Sequence, residues 1–161
     1  MNGKELSVVL RELACSQATP LCGEWTEAWK DDSNLDELLD KFVEGQDFCI
    51  KNNYPTLEFS RKHFTDKRDV LHKHHIFFDE EVKVEDAESG TYIFVGACTG
   101  TITFKGFAVG TVYLRHTSNI KVCSYDNAKV FVSKYDDSEC ETDKDPFAFC
   151  RVFNRRNKRG G

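Results

Sequence analysis

The densest set of side chains able to do chemistry is His72-Lys73-His74-His75, with His63 upstream. Imidazole nitrogens that converge with a carboxylate hold a transition metal. In an extended segment His72 and His74 share one side. His75 follows, and Asp79 or Glu80 supplies oxygen. That arrangement would serve a metal-dependent hydrolase. Against it, no second half of a zinc pattern appears, and Lys73 puts positive charge inside the cluster. The competing reading is a solvated connector, and no metal or other cofactor is expected. Cys98 and His116 make a nucleophile pair only where the site favours the thiolate and brings a base within reach. A chain with seven Cys and five His offers such pairs by chance. The paired carboxylates Asp31-Asp32, Glu80-Glu81 and Asp136-Asp137 read as solvated turns. Gly90, Gly100 and Gly110 are too evenly spaced for a phosphate loop and read as corners. The expectation is a protein that is not an enzyme.

The charge distribution is uneven. Residues 1–80 carry ten Lys and Arg against sixteen Asp and Glu, and residues 81–150 carry seven against eleven. Residues 151–161 carry five cations and no acid, within a net charge of −5. An acidic body repels nucleic acid, leaving Arg151, Arg155, Arg156, Lys158 and Arg159 of a basic tail as the only phosphate contacts. Two acidic groups stand out. Glu81, Glu85, Asp86 and Glu88 form the first. Asp136, Asp137, Glu139 and Glu141 belong to the second, which continues through Asp143 and Asp145. Rows of carboxylates on a rigid face would mimic a nucleic acid and occupy the basic groove of a partner protein.

Hydrophobic residues make up 40% of the chain and aromatics 12%, a folding composition rather than a disordered one. A chain of 161 residues buries roughly 70% of its unfolded surface. It needs no disulfide, and the odd count of seven Cys without CxxC spacing reads as reduced thiols. The start, MNGKELSVVLREL, lacks a signal-peptide pattern, and no run approaches the ~20 apolar residues of a membrane helix. A cytoplasmic location in the host cell is expected, with a virion as the alternative.

The N-terminal region carries a helical period. Leu6, Val9, Leu10 and Leu13 form one stripe, and Trp25 and Trp29 share a face beyond the Pro20–Gly23 loop. The strongest helix runs from Leu35 to Ile50, with Ser33 or Asn34 as its cap. It stops by Asn53, because Tyr54 precedes a proline. Pro55 suits the start of a further helix, Thr56–Phe64.

From about Ile76 the period changes to two. Gly90-Thr91, Gly100-Thr101 and Gly110-Thr111 recur every ten residues, each followed by an alternating run. Tyr92/Phe94, Ile102/Phe104 and Val112/Leu114 take one side; Thr103, Lys105, Tyr113 and Arg115 take the other. The beat then shortens through Ile120–Val122 and Val130–Val132, around a turn at Asp126-Asn127. Six strand-sized units lie between Val82 and Val132. The fold class is α+β: N-terminal helices (1–75) capping a short repetitive β structure (76–150), with a basic tail (151–161). A parallel β-solenoid is favoured over an antiparallel meander or barrel, because Asn-Gly and Asp-Gly hairpin turns are absent. Phe147, Phe149, Val152 and Phe153 form an apolar pad that would cover the far end.

The run from Leu21-Cys22 through Trp25, Trp29, Leu38, Phe42, Gly45-Gln46-Asp47-Phe48-Cys49 and Tyr54-Pro55 resembles the N-terminal segment of small uncharacterised proteins. These belong to Bacteroides-type gut bacteria, their phages and mobile elements. The Ser124–Val130 run resembles their alternating repeats. The resemblance covers about two-thirds of the chain and carries over no activity or site residue. It implies a phage or mobile-element protein in which helices cap a repetitive β-stack. The expected function is a non-enzymatic protein-interaction module that binds a host protein through an acidic β face and inhibits a host defence protein. The alternative is a structural, self-associating solenoid module of a virion.

Overall fold

The structure is a computed structural model that describes residues 35–44, 46, 49, 50 and 56–155. The expected Leu6–Leu13 stripe, the Trp25/Trp29 face and the Ser33 or Asn34 cap lie outside the described residues. The chain divides into two compact units between His74 and His75.

The first unit contains three described helices. Helix α1 spans Leu35–Glu44, and Gln46, Cys49 and Ile50 beyond it are also helical and buried. The described helix thus ends at Glu44, short of the expected end at Ile50, with helical residues recurring at Gln46, Cys49 and Ile50. Helix α2 spans Leu57–His63; the Thr56 hydroxyl caps it by accepting the Phe59 N–H at 3.2 Å. A 3-10 turn at Thr65–Lys67 leads to helix α3, Arg68–Lys73.

The second unit is a parallel β-solenoid of nine strands. These are β1 (Ile76–Phe78), β2 (Glu81–Val84), β3 (Gly90–Val95), β4 (Thr99–Phe104) and β5 (Val109–Leu114). The series continues with β6 (Asn119–Ser124), β7 (Lys129–Lys134), β8 (Glu139–Lys144) and β9 (Phe149–Asn154). Odd strands form a five-stranded sheet in the order β1-β3-β5-β7-β9, and even strands a four-stranded sheet in the order β2-β4-β6-β8. Every pairing is parallel, which excludes the meander. From β3 onward each residue pairs with the one twenty positions later, as in Gly90↔Gly110, Thr99↔Asn119 and Lys129↔Phe149. One coil is therefore two ten-residue halves. The beat does not shorten after Arg115: Val112, Val122 and Val132 keep one phase and are all fully buried.

Alternation alone fills the core. The two inner faces meet in one cluster built from Tyr92, Phe94, Ile102, Phe104, Val112, Leu114, Ile120, Val122, Val130 and Val132. Each buried aliphatic contributes roughly 1.5–3 kcal/mol. The column thins along the chain. Its last coil places Cys140, Thr142 and Lys144 of β8, then Cys150, Val152 and Asn154 of β9, at the same inward phase. Sequence alternation could not expose β8 for that reason, and the acidic run 139–144 hid a strand. Strand β9 runs through Asn154, so residues 151–154 are sheet rather than tail.

The corners are not where Gly90, Gly100 and Gly110 lie. Those glycines sit inside β3, β4 and β5. The corners are the four-residue turns 105–108, 115–118, 125–128, 135–138 and 145–148, each closed by an N–H of the fourth residue donating to the carbonyl of the first. Gly106, His116, Asp126 and Asp136 take positive φ at the first central position, the sign pattern of a type II′ turn. Gly96 carries the same conformation one step earlier. The turn at Asp126-Asn127 is thus found as expected.

Side chains tie successive corners together. Gly96 N–H donates to His116 Nδ1 at 3.1 Å, and His116 N–H to Asp136 Oδ2 at 3.2 Å. In the other column Gly106 N–H donates to Asp126 Oδ2 at 2.9 Å, and Asp126 N–H to Asp145 Oδ2 at 2.7 Å. A carboxylate in one coil thus satisfies the backbone of the previous coil. Replacing Asp136 by Ala removes that acceptor and puts a β-carbon with no local hydrogen bond in a left-handed conformation. The expected loss is about 1–2 kcal/mol, read as a melting temperature about 3–6 °C lower. Asp136→Gly, which relieves the backbone, should lose less.

Candidate interaction surfaces

The histidines do not assemble. His72 lies exposed in the last turn of α3, a helix rather than the expected strand. His74 Nδ1 is 3.0 Å from Asp40 Oδ1 of α1. His75 falls in the second unit, where its ring stacks on Tyr92 with centroids 4.2 Å apart. The His63 ring lies tilted against Phe59, with centroids 4.4 Å apart. Among the described residues no group of three or more His, Cys, Asp and Glu is placed to hold a metal.

Cys98 is wholly buried, and its thiol contacts the Val95 carbonyl at 3.4 Å. Burial pushes the thiol above its ordinary value, the reverse of what a nucleophile needs. His116 Nδ1 accepts the Gly96 N–H and belongs to a corner. Cys140, at the thin end of the core, is pushed up to about 12, first by burial and then by Cys150. Two outcomes follow. At pH 8 its thiolate population should be about a thousandfold below that of an ordinary thiol. Greater intrinsic nucleophilicity offsets part of this, so alkylation mapped by mass spectrometry should run about 50-fold slower. Because the folded value is the raised one, this contribution to stability is complete below the ordinary thiol value. It is lost as pH rises toward 12.

The acidic residues occupy two separate places. Glu81 lies on β2 and Glu85, Asp86 and Glu88 just after it; Glu139 and Glu141 lie on β8, with Asp136 and Asp137 in the corner before it. Strands β2 and β8 are the two ends of the four-stranded sheet. Thr99 and Asn119 separate Glu81 from Glu139 along one outward column. At strand spacing the two ends are about 14 Å apart, so no continuous carboxylate row spans the sheet. The first group is partly neutralised, with Lys83 Nζ 3.4 Å from Glu85 and Lys105 Nζ 3.5 Å from Asp86. The second is denser. Glu139, Glu141 and Asp143 alternate outward along β8 and are all exposed. Lys134 reaches Glu139 at 3.3 Å, and the Tyr125 hydroxyl donates to Asp143 at 2.9 Å.

The outer face of the five-stranded sheet has the opposite chemistry. On its last three strands the outward positions are Val109, Thr111 and Tyr113 on β5, Lys129, Phe131 and Ser133 on β7, and Phe149, Arg151 and Phe153 on β9. None is acidic. Phe131 and Phe149 are exposed, with ring centroids 5.5 Å apart. Phe107 and Phe147 hold the same place in corners two coils apart and are 84% and 86% exposed. The guanidiniums of Arg151 and Arg155 lie 4.7 and 4.9 Å from the Phe153 ring centroid. Of the expected apolar pad, Phe149 and Phe153 therefore face outward, Val152 keeps the inward phase, and Phe147 is exposed in a corner. Reasoning from alternation missed Phe107, Phe131 and Lys129; their signal is the ten-residue phase, which sets Phe107 against Phe147 and Phe131 against Arg151. Arg115, expected outside, is 2% exposed. Arg156, Lys158 and Arg159 lie outside the described residues.

No described helix is long and apolar enough to cross a membrane. No family model, curated protein or solved structure matches the chain.

Proposed function

We propose that the protein is a non-enzymatic interaction module, of phage or mobile-element origin, that docks a basic host protein on the acidic edge of its solenoid. One observation supports this most. Strand β8 ends the four-stranded sheet and turns Glu139, Glu141 and Asp143 to solvent. A sheet-terminal strand is a template for strand addition. The carboxylates select a partner segment carrying Lys or Arg at alternate positions. Occupying a partner's basic groove keeps nucleic acid out of it, which is how the module would inhibit a host defence nuclease.

The test compares capture from a Bacteroides-type host lysate by the native chain and by a Glu139→Lys, Glu141→Lys, Asp143→Lys variant. The reading expects a stoichiometric protein that the native chain retains at low salt and the variant does not. An identical set of captured proteins on both baits contradicts it. A second reading is self-association, because β8 and β9 both end their sheets. It expects a mass in solution above one chain, measured by light scattering, that rises with concentration.

A further inference from the structure

We propose that the outer face of β5, β7 and β9 binds single-stranded nucleic acid, with Phe131 and Phe149 stacking on bases and Lys129, Arg151 and Arg155 contacting phosphates. This goes beyond the protein-docking edge and uses the opposite face of the solenoid.

The face interleaves rings and cations. One outward column runs Val109, Lys129, Phe149, and the next runs Thr111, Phe131, Arg151. Lys129 thus separates the apolar members of its column, and Arg151 sits beside Phe131. This is not the unbroken apolar patch of a protein anchor. It matches a ligand that alternates flat apolar bases with anionic linkages, as sheet-surface aromatics flanked by cations do for single strands. The positions are also fixed. Phe131 and Phe149 stand on paired strands, and Phe153 gathers two guanidiniums against one ring. Phe107 and Phe147 extend the apolar rim over two coils, about 10 Å.

The charge balance supports the same ligand. No Asp or Glu occupies an outward position on these three strands. The rim carboxylates Asp126, Asp136 and Asp145 are turned to the backbone N–H groups of Gly106, His116 and Asp126, and Asp137 is exposed in the corner after β7. The acidic row of β8 faces away on the other sheet, about 10 Å behind. That exceeds the screening length of roughly 8 Å at physiological salt. Beyond Arg155 the sequence continues as Arg156, Asn157, Lys158 and Arg159, which adds three cations.

Fluorescence anisotropy with labelled twelve-nucleotide oligouridine, oligothymidine and a twelve-base-pair duplex tests this on the full chain. The expected result is single-strand binding with a dissociation constant of about 1–100 µM at 50 mM salt. Its logarithm should change with log salt at a slope near 2, from three phosphate contacts. Phe131→Ala and Phe149→Ala should each weaken single-strand binding by about 5- to 150-fold. Arg151→Gln should lower the slope by about 0.7. Because these side chains lie outside the core cluster, each variant should remain folded, which its melting curve checks. Charge reversal on β8 should leave binding equal or stronger, separating this face from the protein-docking edge. A preference for oligouridine over oligodeoxyuridine of the same length identifies the sugar. No binding of either single strand at 50 mM salt overturns the proposal. So does duplex binding as tight as single-strand binding, or an unchanged affinity in a folded Phe131→Ala, Phe149→Ala chain.

Discussion

Replacing Gly110 by Ala should cost about 2–3 kcal/mol, and replacing it by Val more. A β-carbon at Gly110 would stand 2.3 Å from Cε1 of Phe104. Phe104 is wholly buried and packs edge-on against Tyr92 with centroids 5.4 Å apart, so displacing the ring disturbs that packing. Overfilling a packed core costs about 1–3 kcal/mol. The glycine and the aromatic are one fitted unit: where the strand position is empty, a ring from the preceding strand fills it. Shortening the ring in the same chain, Gly110→Ala with Phe104→Leu, should recover at least 1 kcal/mol relative to additivity. Gly100 provides the contrast. A β-carbon there lies 1.9 Å from the Val82 carbonyl oxygen, at a φ of +129°. The obstacle is backbone, so Gly100→Ala should be at least as costly and have no side-chain rescue. Urea unfolding of the native chain, Gly110→Ala, Gly110→Val, Phe104→Leu, the Gly110→Ala/Phe104→Leu chain and Gly100→Ala measures all of these. Equal stability of native and Gly110→Ala proteins would contradict the packing described.

Inserting one Ala after Lys121 should abolish the folded β-region, whereas duplicating residues 109–128 should preserve it. The side-chain period is two, so a one-residue shift sends Val122 and Ser124 outward and Cys123 inward. It also breaks the twenty-residue register of β6 with β4 and β8. Losing the burial of even two aliphatic residues costs about 3–6 kcal/mol, comparable with the whole stability of a domain. A duplicated coil keeps both the parity and the corner phase, and it adds Val112, Leu114, Ile120 and Val122 to a stack in which each coil contacts its neighbours. Its melting temperature should equal or exceed that of the native chain. Circular dichroism during heating distinguishes the two. A chain that folds equally well with one extra residue would not be this solenoid.

Much of the architecture was legible because two periods coincide. Alternation named the inner residues, Tyr92 through Leu114, and the ten-residue beat predicted stacked strands. The solenoid followed from missing hairpin turns. What alternation could not reveal has physical causes. In β8 the inward column runs Cys140, Thr142, Lys144, so the strand holds its place by register and not by apolar pattern. A glycine reads as a turn unless its neighbour's volume is known, and Gly110 is defined by Phe104. Arg115 has outward parity but sits at a corner start, where strand parity no longer sets direction. The candidate surfaces were half visible. The carboxylates of β8 stood out by composition, while the aromatic–cation face needed the coil phase that places Phe131 beside Arg151.

The measurement that bears most directly on the proposed function is amide hydrogen exchange of the chain alone and in complex with the protein it captures. Docking on the acidic edge predicts slowed exchange at residues 139–144, with the outer face of β5, β7 and β9 unchanged. Slowed exchange confined to β5, β7 and β9, or to α2 and α3, with residues 139–144 unaltered, would contradict it.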